Sequence, residues 1–151
     1  MPGDDVTHVT KACAYITRGT ELLTFEGPGH DRLQVPKGTV EPGETPREAV
    51  HREVVEETGL ATFGRFRPVA TDVWRRRDSK RYVRNFYHAE VVDAPDAWTH
   101  TVTGTGEERG AEFVLSWVEL PADEPFALDL DDYLDALPVG NAGRRTGVAA
   151  D

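Results

Sequence analysis

Three closely spaced glutamates, Glu53, Glu56 and Glu57, are the residues of this chain best suited to metal chemistry. In an α-helix, positions i, i+3 and i+4 fall within an arc of about 100° on one face. Carboxylates placed so close together repel one another, so a cation is needed to offset their charge. Mg²⁺ takes oxygen ligands and is usually held by a few carboxylates together with water and substrate phosphates. The spacing predicts a Mg²⁺ site, and a solvated acidic helix face is the alternative.

The helix that carries these glutamates has a well-marked predicted start. Thr45 can act as the N-cap, Pro46 occupies the first helical position, and Glu48 lies three residues after the cap. This pattern predicts a helix that runs to about Thr58, with Gly59 as its stop.

The segments around this helix predict a mixed α/β domain. Runs rich in β-branched and aromatic residues predict strands at 9–16, 22–25, 69–76, 81–92 and 113–118. A final amphipathic helix is predicted at 128–137. We expect one domain over residues 1–138, with a mixed β-sheet, and a disordered tail over residues 139–151, whose small and polar residues offer little to bury.

A 23-residue segment, 38–60, holds the glutamates and reads GTVEPGETPREAVHREVVEETGL. It resembles the signature box of the Nudix hydrolases, and every specified position matches. Seven of these positions are fixed: Gly38, Glu44, Arg52, Glu53, Glu56, Glu57 and Gly59. At a frequency of about 7% for each residue type, a chance match in one window has a probability of about 10⁻⁸.

The resemblance implies a Nudix α/β/α sandwich with a loop–helix–loop catalytic motif. It implies Mg²⁺- or Mn²⁺-dependent hydrolysis of a nucleoside diphosphate linked to another moiety. Arg52 would hold carboxylates in place, Glu44 above all. The implied metal ligands are Glu53, Glu56, Glu57 and the main-chain carbonyl of Gly38.

Hydrolysis of a phosphoanhydride also requires a base that removes a proton from the attacking water. Two sources of this base are open: Glu53 within the box, or a glutamate from the later segment 106–112. Glu112 is favoured slightly, because it leads directly into the predicted strand at 113–118.

The substrate is expected to be rich in phosphate. Residues 65–84 contain eight Lys or Arg against two Asp, a local charge of +6. Arg76, Lys80 and Arg84 are the cations expected to face the metal site, and a solvated hairpin tip is the alternative. Lys37 adds to them, because Pro-Lys-Gly before the box resembles the entry to the box in Nudix enzymes that act on diadenosine polyphosphates.

Other similarities leave the substrate open. The basic hairpin also resembles that of diphosphoinositol polyphosphate phosphohydrolases. Four strand aromatics could stack on a base or simply pack in the core: Trp74, Tyr82, Phe86 and Tyr87. The leading hypothesis is a Mg²⁺-dependent pyrophosphohydrolase of nucleoside or dinucleoside polyphosphates. The alternatives are a Nudix-fold sensor that binds a nucleotide without cleaving it, a diphosphoinositol polyphosphate hydrolase and an RNA 5′-pyrophosphohydrolase.

The composition of the chain restricts the classes of binding partner and the cellular compartment that we expect. The chain has 151 residues and a formal net charge of −10, which disfavours wrapping of duplex nucleic acid, since affinity for phosphates comes mainly from cations. A single cysteine fits a reducing compartment. Neither a signal peptide nor an apolar run of about 20 residues is visible. We therefore expect a cytoplasmic protein without membrane contact, and the oligomeric state stays open.

Overall fold

Seven strands and one α-helix make up the regular structure of residues 5–26 and 32–138, the part of the chain that this computed structural model describes. In chain order they are β1 (Thr7–Arg18), β2 (Glu21–Glu26), β3 (Lys37–Thr39), α1 (Pro46–Thr58), β4 (Arg67–Arg77), β5 (Lys80–Glu90), β6 (Ala97–Thr101) and β7 (Glu112–Glu119). The tail predicted at 139–151 lies outside the described residues. In the described ranges, no helix has the length and apolar character needed to cross a membrane.

The strands form one mixed sheet in the order β4-β5-β1-β2-β7-β6, and β3 pairs with β1 off this path. β1 runs parallel to β5 from the pair Thr7–Lys80 to the pair Thr17–Glu90, whereas the other pairings are antiparallel. This arrangement confirms the predicted α/β class and mixed sheet. It also places β1 in the middle, so that side chains on both of its faces are buried.

The alternation of side chains along β1 divides the core into two clusters. Ala14 and Ile16 belong to the cluster that includes Val50 and Val54 of α1, and all four side chains are fully buried. Tyr15 points to the opposite face and belongs to the second cluster. Full burial of an aliphatic side chain contributes about 1.5–3 kcal/mol, so the two valines fix α1 to the sheet.

The predicted limits of the helix are confirmed. The Thr45 hydroxyl accepts a hydrogen bond from the Glu48 amide at 3.0 Å, and the Glu48 carboxylate accepts one from the Thr45 amide at 2.9 Å. Pro46 is the first helical residue, and Gly59 ends the helix with φ of 78°, a left-handed conformation that favours glycine. Because both ends of α1 are fixed in this way, the positions of its carboxylates relative to β3 are fixed as well.

The predicted helix at 128–137 is wrong. Two short 3₁₀ turns, Ala127–Asp129 and Leu134–Ala136, occupy this segment. Leu128 and Asp129 both have positive φ, near 55°, which an α-helix does not allow. Both carbonyls accept hydrogen bonds from the Arg84 guanidinium, and that of Asp129 also accepts one from the Asp132 amide, three residues later. A contact distant in sequence therefore outweighs the apolar periodicity of the segment.

β6 was not predicted, although its sequence, AWTHT, is rich in strand-forming residues. It lies at the edge of the sheet against the C-terminal turn of α1. The Trp98 indole N–H donates to the Thr58 carbonyl at 2.8 Å, and His100 Nε2 lies 3.1 Å from the Glu56 carbonyl. These side chains satisfy carbonyls that the end of the helix leaves without partners.

Candidate active site

A cavity of about 410 Å³ lies beside the carboxylate face of α1. It is bounded by α1, by β3, by one face of β1 and β5, and by the turn at 106–109. Seven of the residues predicted from the sequence meet here: Lys37, Gly38, Arg52, Glu53, Glu56, Glu57 and Lys80. Residues from three separate stretches of the chain therefore converge on one cavity.

Arg52 clamps the loop of the box to the helix. Its Nε and Nη2 donate to the two oxygens of Glu44 at 2.7 and 2.9 Å, a bidentate pairing. Its Nη1 donates to Glu53 at 2.8 Å, and its Nη2 donates also to the carbonyl of Thr39 at 3.1 Å. The hydrogen bonds from Arg52 lower the pKa of the Glu44 carboxyl, so Glu44 stays charged and the pair stays closed. This geometry agrees with the positioning role that the resemblance implies.

Glu53 and Glu57 are buried, and the pKa of each carboxyl is raised. Only 2% of Glu57 is exposed, and 9% of Glu53. Burial raises the pKa of both carboxyls, and the charge of Glu53 raises the pKa of Glu57 further, against the opposing effect of Lys37. The Lys37 amide donates to Glu57 Oε1 at 3.1 Å. Two acids buried side by side have unfavourable electrostatics that a divalent cation would relieve.

Two glycines leave room for the carboxylates. A Cβ on Gly38 would overlap the carboxylate of Glu53, and a Cβ on Gly104 would overlap that of Glu56. The backbone of Gly38 therefore lies directly against an acid, as expected if its carbonyl and that acid share an ion. In the described residues, no three acidic, imidazole or thiol groups already surround one point, so the carboxylates would have to turn toward an ion that binds. The oxygen donors suit a hard cation such as Mg²⁺ or Mn²⁺.

Three lysines supply positive charge to the cavity. Lys37 and Lys80, both predicted from the sequence, are joined by Lys11 of β1, which was missed. The Lys11 ammonium lies 4.8 Å from the centre of the Tyr82 ring, and that of Lys80 lies 5.8 Å from it. A lysine within a strand of small apolar residues is the signal that could have identified Lys11.

Glu112, the glutamate favoured as the base from the sequence, lies outside the cavity. Glu112 begins β7, where it pairs with Thr101, and it does not line the cavity. The turn before it folds back, because the Gly110 amide donates to the Val102 carbonyl at 2.9 Å. That turn brings Glu108 to the cavity, close enough for its carboxylate to raise the pKa of Glu57. Of the predicted segment 106–112, Glu107 and Glu108 both line the cavity, and Glu108 is the one that interacts with Glu57.

Arg84 does not face the predicted metal site, contrary to the expectation from the sequence. It is 2% exposed and does not line the glutamate cavity. Its Nε and Nη2 donate to Asp72 at 2.9 and 2.6 Å, and Nη2 also donates to Asp132 at 2.9 Å. Its Nη1 donates to the carbonyls of Leu128 and Asp129. With its donors engaged, Arg84 has no N–H left for a phosphate and instead fixes the loop at 128–132.

A smaller cavity of about 120 Å³ adjoins the first, and the two share Lys11, Lys37 and Tyr82. Trp74 and the predicted cation Arg76 line its other side. The Trp74 and Tyr82 ring centres are 5.8 Å apart with an interplanar angle of 32°. Aromatic rings thus lie next to the lysines, which is an arrangement suited to a planar base attached to phosphates.

We expect divalent cations to stabilise the protein through the glutamate cluster. A ligand at 100 times its Kd contributes about 2.7 kcal/mol, which corresponds to a rise in Tm of roughly 5–10 °C for a chain of this size. The shift should shrink as the pH falls toward 4.5, because the raised pKa of Glu57 keeps its carboxyl protonated in that range. Thermal unfolding with Mg²⁺, with Mn²⁺ and with a chelator measures the shift. An equal shift in E57Q would place the ion elsewhere.

Comparisons with known proteins agree with this geometry. Over 79 residues the chain is 41% identical to a protein named RNA pyrophosphohydrolase from Psychrobacter sp. (strain PRwf-1), a match that covers 52% of this chain and 46% of that protein. The chain thus spans less than half the length of this curated relative. The fold matches a MutT NUDIX hydrolase from Burkholderia pseudomallei with a TM-score of 0.65 and 20% identity, over 87% of this chain and 98% of the other. It also matches the C. elegans Ap4A hydrolase with a TM-score of 0.54 and 20% identity, over 96% and 100% of the two chains.

The model of one family covers nearly all of the described structure. The model described as NUDIX domain matches residues 7–137, from the start of β1 to the last 3₁₀ turn. Its span includes the loop, helix and loop of residues 38–60, where Arg52 pairs with Glu44 and the buried Glu53 lies against Gly38. On the match and the geometry together, the chain belongs to the NUDIX domain family.

Proposed function

We propose that this chain is a divalent-metal-dependent pyrophosphohydrolase that cleaves a phosphoanhydride in a nucleoside or dinucleoside polyphosphate. One observation carries the proposal: two buried acids line a cavity together with lysines, Glu53 against Gly38 and Glu57 against the Lys37 amide. A binding module has no need to bury paired carboxyl groups, since their desolvation is costly without a cation.

Each group at the cavity has a task in this reaction. Glu53, Glu56, Glu57 and the carbonyl of Gly38 would hold the metal, which supplies Lewis-acid stabilisation of phosphate charge when bound. Arg52 keeps the acids oriented through Glu44 and Glu53.

The remaining groups act on the substrate and on water. Lys37 and Lys80 attract the phosphate oxygens and offset the charge that repels a nucleophile. Glu108, which lines the cavity, would accept the proton of the attacking water, with Glu53 as the alternative base.

The adjoining small cavity favours a nucleotide, rather than an inositol polyphosphate, as the substrate. Lys11 and Lys37 line both cavities, so a phosphate chain near the glutamates would lead directly to the Trp74 and Tyr82 rings. An aromatic face attracts a planar base, whereas a polyphosphorylated inositol has no planar group to stack. The size of this cavity, about 120 Å³, fits a single small ring system.

A second candidate substrate is the 5′ end of RNA. It is favoured by the similarity to the Psychrobacter protein named RNA pyrophosphohydrolase, which is 41% identical over a segment that covers 52% of this chain. The chemistry would be the same, because a 5′-triphosphate carries the same phosphoanhydrides. The two candidates differ in whether nucleotides beyond the first contribute to binding.

A panel of substrates with product identification tests the proposal. The panel contains a nucleoside triphosphate, a dinucleoside tetraphosphate, a 5′-triphosphate oligoribonucleotide and a diphosphoinositol polyphosphate, each with Mg²⁺ or Mn²⁺. We expect cleavage of nucleotide-containing substrates only. Cleavage of the inositol compound alone would overturn the substrate class, and tight binding without any product would favour a sensor.

We expect Trp74→Leu to raise KM for nucleotide substrates by about tenfold and to leave kcat within about twofold. Stacking of a base on an aromatic side chain is worth roughly 1–3 kcal/mol, and the substitution removes that face. Steady-state kinetics on the best substrate of the panel measure the effect. The matched control is Val73→Ala at the neighbouring position, where the side chain is 62% exposed. An unchanged KM in Trp74→Leu would place the base outside the small cavity.

A further inference from the structure

A second and larger concavity, of about 740 Å³, lies between α1 and the segment 63–68. We call it the α1 groove. It shares no lining residue with the glutamate cavity. At 100° per residue, His51 lies about 160° around the helix from Glu53 and about 120° from Glu57. The α1 groove is therefore a separate surface that the proposed reaction does not use.

The charge of the α1 groove is opposite to that of the chain. Among the described residues that line it, none is acidic and three are arginines, Arg47, Arg65 and Arg67, although the whole chain carries −10. Arg65 and Arg67 are exposed, and within residues 5–26 and 32–138 neither forms an ion pair or a side-chain hydrogen bond. Arg47 donates to the Phe66 carbonyl and lies 5.4 Å from the centre of the Tyr87 ring. Two guanidinium groups are thus available to an anion.

The floor of the α1 groove is aromatic. The ring centres of His51 and Phe63 are 5.1 Å apart, and those of Phe63 and Phe66 are 5.2 Å apart. Phe66 is buried and supports Phe63, which is half-buried and presents part of its ring to the groove. The Gly64 amide donates to the Glu90 carbonyl at 2.7 Å, which fixes this segment to the end of β5. The aromatic floor of the α1 groove is therefore already fixed in the unliganded protein.

We propose that the α1 groove binds single-stranded nucleic acid. Proteins that bind single strands combine cations that follow the phosphates with aromatic side chains on which bases stack, and the α1 groove supplies both. Phe63 and His51 provide the stacking platform, and Arg65 and Arg67 contact the phosphates. A polyphosphate without bases would leave the platform unused. An acidic protein surface would leave it unused as well. The proposal does not rest on the proposed function, because binding here requires no hydrolysis.

The test uses a fluorescently labelled oligoribonucleotide of about 12 nucleotides, within the roughly 4–16-nucleotide site size of single-strand modules. Its 5′ end is a hydroxyl, so it offers no phosphoanhydride to the glutamate cavity. Fluorescence anisotropy gives the Kd of the wild type over a range of salt concentrations. The two phosphate contacts, from Arg65 and Arg67, predict a slope of log K against log salt of about −1.4.

Three variants locate the binding surface. We expect the double variant R65E/R67E to weaken binding by about tenfold or more and to bring the slope close to zero, because both phosphate contacts are lost. F63L keeps an apolar side chain but removes the ring, and we expect it to weaken binding by about fivefold. The matched control is R75E/R77E, which makes the same change in net charge at the β4–β5 turn and should alter binding by less than about twofold.

The outcomes are decisive because each variant is first checked for an unchanged Tm. Loss of binding in R65E/R67E and F63L, with retention in R75E/R77E, supports the proposal. Equal losses in the two double variants would show a general charge effect and would overturn it, as would the absence of binding to wild type at low salt. Hydrolysis of a mononucleotide substrate should be unchanged in R65E/R67E, since neither arginine lines the glutamate cavity.

Discussion

Replacing Glu57 with glutamine should lower kcat for phosphoanhydride hydrolysis by roughly three orders of magnitude. The substitution keeps the shape of the side chain, and its carbonyl oxygen still accepts the hydrogen bond from the Lys37 amide. It removes one negative charge from the centre of the cluster, where only 2% of Glu57 is exposed. The loss is therefore one of metal affinity and of charge stabilisation rather than of structure.

The melting temperature of E57Q shows whether the lost activity comes from weaker metal binding or from a damaged fold. Because burial raises the pKa of Glu57 in the folded protein, its carboxyl contributes stability below pH 4.5 that is lost as the pH rises through the folded-state pKa. Metal-free E57Q should consequently melt at or above the temperature of the wild type at neutral pH. Glu112→Gln is the matched control, with the same chemical change outside the cavity, and it should keep near wild-type activity. A large loss in Glu112→Gln would restore Glu112 as the base.

Replacing Arg84 with methionine should destabilise the fold by about 3 kcal/mol. Removing one partner of a buried ion pair typically costs about 3–5 kcal/mol, and the partial exposure of Asp72 and Asp132 places this value at the lower end. The carbonyls of Leu128 and Asp129 lose their donor as well. Urea unfolding gives the free energy of unfolding directly.

The matched control for this prediction is Arg76→Met. Arg76 is exposed, and within the described residues its side chain has no ion pair, so its replacement should change stability by less than about 0.5 kcal/mol. The pair of variants also tests the correction of the Arg84 prediction. Wild-type stability in Arg84→Met, together with a higher KM, would mean that Arg84 binds phosphate after all.

Local signals in the sequence were sufficient to predict the helix and most of the candidate site residues that it carries. The capping box at Thr45 and Glu48 involves residues three apart, so it is legible without the fold. The same holds for the glutamate spacing, because helical geometry alone places Glu53 and Glu57 on one face. The resemblance added Gly38 and the Arg52–Glu44 pair, whose contacts join the loop to the helix.

The features that sequence analysis did not predict depend on contacts between segments that are far apart in the chain. The parallel register of β1 on β5 decides that Lys11 and Tyr82 share a cavity, and no local pattern encodes that register. The position of Glu108 depends on a turn closed by backbone hydrogen bonds. The segment at 128–137 has helical periodicity, but the donors of Arg84, 44 residues earlier than Leu128, hold its carbonyls in another conformation.

The most direct test of the central claim is a time course of phosphoanhydride cleavage, with products separated and identified, for the wild type and E57Q side by side. The claim predicts that wild type with Mg²⁺ or Mn²⁺ releases a nucleotide and a phosphate-containing product, that a chelator stops the reaction, and that E57Q forms product roughly a thousandfold more slowly. Equal rates in the two proteins, or equal rates with and without the chelator, would contradict it.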